Sequence, residues 1–104
     1  MGENKRSVLL SGEVYMMDYI IAEYPEDGVF DNDTRLVHLQ TVRNSPLPHK
    51  GDMVRFCRWR PETRITTYWC EVVTILHDVP LTSDKTETPF VLVKILNKQN
   101  IISE

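Results

Sequence analysis

The chain has 104 residues, of which 41% are hydrophobic and 26% charged. That length holds one domain with one modest core, and the composition excludes wholesale disorder and collagen-like repeats. Twelve basic residues against fifteen acidic ones give a net charge of −3, which argues against a general nucleic-acid coat protein.

No apolar run approaches the roughly 20 residues needed to span a bilayer. Met1 to Arg6 leads into no secretory apolar region. An intracellular setting, cytoplasmic or nuclear, with no membrane contact is therefore expected. The expected layout is a single domain over residues 1–104, with a core barrel at 8–96 and tails at 1–7 and 97–104.

Val, Ile, Thr, Tyr, Phe and Trp recur in short segments separated by Gly, Pro, Asn and Asp clusters, which reads as strand throughout. A first strand region is predicted from Val8 to Tyr24, with Gly12 marking a bulge or bend and Tyr19-Ile20-Ile21 breaking the alternation past Asp18. Pro25-Glu26-Asp27-Gly28 makes a turn. A second strand is predicted from Thr34 to Val42, followed by a turn from Asn44 to Gly51 that contains two prolines.

The third strand, Asp52 to Trp59, alternates cleanly: Val54 and Phe56 face the core, and Arg55, Cys57 and Trp59 take the other side. After Arg60-Pro61-Glu62-Thr63 comes a fourth strand, Ile65 to Leu76. His77 to Pro89 reads as a long loop, and Phe90 to Leu96 as the fifth strand, with fraying beyond. The expected core includes Val14, Val54, Phe56, Val73, Val91, Val93 and Ile95. The fold class is all-β: a small, partly open barrel of five or six strands on a Greek-key path, of which the OB-fold is the commonest form.

Charge is unevenly placed. Glu13 to Asp33 holds seven acids and no Lys or Arg, whereas Lys50 to Arg64 holds five basic residues against two acids. Aromatic residues share that basic region, and Arg58-Trp59-Arg60 combines a stacking surface with cations, as single-stranded nucleic-acid sites do. The candidate contact residues are Tyr15, Lys50, Arg55, Arg58, Trp59, Arg60 and Arg64.

Other chemistries find little support. Cys57 and Cys70 lack a C-x-x-C, and free thiols are expected; the three histidines have no zinc spacing. Asp31-Asn32-Asp33 is not followed by the ligands a calcium loop needs, and reads as an acidic turn. No serine elbow, Walker loop or H-E-x-x-H occurs, so no enzyme, metal or cofactor is expected.

Ser11-Gly12-Glu13-Val14, Gly28-Val29-Phe30-Asp31, Lys50-Gly51-Asp52-Met53-Val54-Arg55-Phe56 and Trp69-Cys70-Glu71-Val72-Val73 together resemble cold-shock and S1-like OB domains. The divergent ones attached to Armitage-type RNA helicases look closest. This resemblance implies an OB barrel that binds RNA. Gly51-Asp52, Trp59, Pro61-Glu62-Thr63, Val73-Thr74-Ile75-Leu76 and Phe90-Val91-Leu92 are also similar to the second half of ASCH (PUA-like) barrels, which implies an RNA- or nucleotide-binding barrel. The expected role is a non-catalytic module for single-stranded nucleic acid, RNA favoured. A protein–protein adaptor of a nucleic-acid-associated complex is the alternative.

Overall fold

A computed structural model describes residues 16–62, 64–79, 81–82 and 87–101. Among these residues five strands form a nearly closed all-β barrel: β1 (Met16–Glu23), β2 (Val37–Pro46), β3 (Met53–Arg60), β4 (Arg64–Leu76) and β5 (Phe90–Ile101). The expected beginning of the first strand, with Gly12 and Val14, lies outside the described residues. Among the described residues no helix is long and apolar enough to cross a membrane.

The strands follow the order β2-β1-β5-β4-β3. The β1–β2, β3–β4 and β4–β5 ladders are antiparallel, and β1 runs parallel to β5 from Ile20↔Phe90 to Glu23↔Val93. Successive strands are thus neighbours except β2 and β3, which flank the remaining gap. The parallel β1–β5 pair, between strands distant in sequence, is a crossover, so the path is not a simple meander. Side chains bridge the gap: Val54 and Phe56 of β3 pack on the same core as Leu39 and Val42 of β2. Arg58, toward the end of β3, lies beside His38 to Thr41 at the start of β2.

The core is built from inward rows of all five strands. Tyr19 and Ile21, Leu39, Tyr68, Cys70 and Val72, and Val91 and Val93 form one buried cluster. Phe56 stacks on Tyr68 with centroids 5.1 Å apart and planes at 7°. The start of β5 departs from alternation because it is central and covered on both faces: Val91, Leu92 and Val93 are all fully buried, and Leu92 stands opposite the fully buried Ala22.

Several boundaries differ from the expected ones. β1 runs unbroken past Asp18; the irregularity is a bulge in β2, where Arg43 and Asn44 lie opposite Asp18 alone. Asn44 has φ 49, and its N–H donates to Asp18 Oδ1 at 2.9 Å. That carboxylate lets β2 continue to Pro46, beyond its expected end at Val42. β5 also continues past Leu96 to Ile101, paired with β4, so this part of the expected fraying tail is strand. Val73 is the unpaired residue of a bulge between Val72 and Thr74 and is only half-buried, as are Val54, Phe56 and Ile95.

Candidate nucleic-acid interface

The β3–β4 hairpin positions most of the candidate residues. Its outer rows follow from period-two geometry and cross-strand pairing: Met53 faces Glu71, Arg55 faces Trp69, Cys57 faces Thr67, and Trp59 faces Ile65. The Arg55 guanidinium lies 5.3 Å from the Trp69 ring centroid, a cation–π contact. Trp59 is 66% exposed and Met53 61%, with Ile65 and Trp69 also open to solvent. Cys57 is exposed, with its sulfur 3.5 Å from Thr67 Oγ1. The result is an apolar and aromatic strip with one arginine laid across it.

Arg58 and Arg60 fall on the opposite row of β3 from Arg55 and Trp59. Arg58 is half-buried at the β2–β3 gap, whereas Arg60 pairs with Arg64 at the hairpin end, where both are exposed. Arg64 holds a positive φ of 64. Lys50 lies in the turn at the other end of β3, fixed by the Gly51 N–H donating to the Val72 carbonyl at 2.8 Å. At roughly 3.3 Å per extended residue, the hairpin end is up to about 30 Å from Lys50. Tyr15 lies outside the described residues.

Sequence reasoning left out Trp69, Met53 and Ile65. The signal was present, because closing a hairpin at Pro61 sets Arg55 opposite Trp69 and Trp59 opposite Ile65. Lys98 was missed too. Its ammonium lies 5.9 Å from the Tyr68 ring centroid, on the inner row and beyond the expected end of the last strand.

The electrostatics separate two regions. Among the described residues, Arg55, Arg58, Arg60 and Arg64 make no ion pair, whereas Arg43 lies 3.4 Å from the Asp18 carboxylate. Glu71 shares the outer face but reaches none of these four arginines. The acids collect on the β1–β2 connection, along a groove that includes Glu23, Glu26, Asp27, Asp31 and Asp33. There Asp31 and Asp27 cap their own turn, accepting from the Asp33 N–H at 2.9 Å and the Val29 N–H at 3.0 Å. Among the described residues, no group of three His, Cys, Asp or Glu side chains could hold a metal ion.

The cysteines are free and on opposite faces. Cys70 pairs with Val54 and is fully buried; burial, with a smaller contribution from the Glu23 carboxylate, pushes its thiol up to about 11. Burial also raises the Tyr19 phenol. In both groups burial favours the protonated, neutral form. No protein-family model matches the sequence, and no curated protein or solved structure matches it.

Proposed function

We propose that this barrel is a non-catalytic module that binds single-stranded nucleic acid, RNA in preference, through the outer face and end of its β3–β4 hairpin. One observation carries the reading: Arg55, Arg60 and Arg64, which make no ion pair among the described residues, share one hairpin with two exposed indoles, in a chain whose net charge is −3. Trp59 offers an open ring for base stacking, worth roughly 1–3 kcal/mol per base. Arg55 over Trp69 supplies a cation beside a second aromatic surface. Arg60 and Arg64 reach phosphates at the hairpin end. The cold-shock and S1-like resemblance supports RNA and an OB-like assignment of the barrel, and the ASCH-like resemblance supports a related barrel for RNA or nucleotides.

A second reading has its own observation. Met53, Trp59, Ile65 and Trp69 form an exposed apolar strip of the kind that protein partners cover. In that adaptor role the acidic β1–β2 connection carries the opposing charge. A salt titration with a short labelled RNA, read by anisotropy, separates the two. About three phosphate contacts at roughly −0.7 each give a slope near −2 in log affinity against log salt. Trp59→Ala weakens binding at an unchanged slope, and Arg55→Ala flattens the slope by about one contact. Absence of binding at low salt refutes the nucleic-acid reading and leaves the adaptor.

A further inference from the structure

The gap between β2 and β3 holds a set of side chains that the hairpin face does not use. Both strands are edges of the sheet order, so each turns alternate main-chain N–H and C=O groups toward the gap without a described ladder partner. A shallow surface depression opens there, lined by His38, Leu39, Gln40 and Thr41 of β2 and by Arg58 of β3. Leu39 is buried in the core and anchors its side of the depression. His38 Nε2 and Thr41 Oγ1 are 3.0 Å apart, which holds the hydroxyl and the imidazole together at the rim.

Arg58 decides the character of this depression. It follows Val54 and Phe56 on the inward row, is half-buried, and makes no ion pair among the described residues. Charged side chains withdrawn from water are normally paired, because an unpaired charge loses hydration without compensation. None of the five lining residues is an acid that could compensate it.

We propose that the β2–β3 gap is an anion site that takes a phosphate monoester group. The guanidinium offers two parallel N–H donors to phosphate oxygens, the Gln40 amide can donate one more, and the His38–Thr41 pair, bonded to each other, leaves one further donor between them. Phosphate suits this array better than carboxylate does, since it presents three oxygens to converging donors. The proposal is independent of the hairpin reading, because Arg58 occupies the row opposite Arg55 and Trp59. The phosphate can come from a small free phosphate or from the end of an oligonucleotide.

The test is a titration of the full chain with inorganic phosphate at constant ionic strength, followed by amide NMR shifts. Shifts confined to residues 38–41 and 58, saturating at millimolar phosphate and absent with chloride, are expected. Arg58→Gln should weaken this binding at least tenfold. Thr41→Val, at an exposed position, should weaken it several-fold, and serves if the Arg58 variant does not fold. Trp59→Ala should leave the phosphate titration unchanged while weakening RNA binding.

A 5′-phosphorylated oligonucleotide that binds at least threefold more tightly than its 5′-hydroxyl counterpart assigns the phosphate to a strand end. Equal binding of the two, with saturating shifts from inorganic phosphate, assigns it to a small free phosphate. Absent shifts, shifts spread over the whole barrel, or shifts that persist in folded Arg58→Gln overturn the proposal.

Discussion

Alkaline titration of the buried Cys70 thiol gives a quantitative test of the core. Its pKa of about 11 stands above the ordinary value of 9.0, so the folded state holds this proton more tightly than the unfolded state does. The stabilisation is fully present below pH 9 and is lost as pH rises from about 9 to about 11. At about 1.4 kcal/mol per unit, this removes about 2 kcal/mol between pH 9 and pH 11 and approaches about 3 kcal/mol only above pH 11. Urea unfolding at pH 8, 9, 10 and 11 should show the decline, and Cys70→Ala should flatten it while lowering stability overall. At pH 8 the same shift cuts the thiolate fraction about 100-fold relative to an ordinary thiol. Pulsed iodoacetamide labelling read by mass spectrometry should therefore modify exposed Cys57 first, and Cys70 only as the chain unfolds. Labelling of Cys70 as fast as Cys57 in the folded protein would refute its placement in the core, as would an identical pH dependence in Cys70→Ala.

Phe56→Ala should cost about 3 kcal/mol by thermal or urea unfolding, the low end for a buried ring, because Phe56 is only half-buried yet loses its stack on Tyr68. Asp18→Ala removes the acceptor of the Asn44 N–H and should cost about 1 kcal/mol, with amide-exchange protection lost first at residues 43–45. Arg64→Gly relieves a left-handed backbone at φ 64 and should raise stability by up to about 1 kcal/mol. If Arg64 meets phosphate, the same change should also lower the salt slope of RNA binding by about one contact.

β3 was legible residue by residue, since strict alternation separates Val54 and Phe56 from Arg55 and Trp59 and predicts the exposed Trp59. β2 was not. Asn44 and Pro46 look like turn residues, and only a carboxylate 26 positions away keeps Asn44 within a strand. The end of β5, Asn97-Lys98-Gln99-Asn100, is polar on both faces and carries no pattern of its own. It is ordered by its ladder with β4 and by Thr66 donating to Asn100 Oδ1 at 2.8 Å. The division of the arginines between two faces followed from parity, but the depression around Arg58 did not. It depends on the sheet bringing its two edge strands, β2 and β3, near each other, a property of the whole barrel rather than of any segment.

The position of β5 has a consequence for how the chain assembles. Among the described ladders it alone joins the β1–β2 hairpin to the β3–β4 hairpin, and a lone two-stranded hairpin is at best marginally stable in water. Neither hairpin has a lasting partner until β5 is available, so the barrel forms only once residues 90–101 can pair. Pairing Ile20 with Phe90 closes a very long loop, which places the chain among slow, high-contact-order folders. A chain ending at Pro89 should remain unfolded. A synthetic peptide spanning residues 90–104, added in trans, should restore the barrel, making the last strand a detachable keystone for split-protein reassembly.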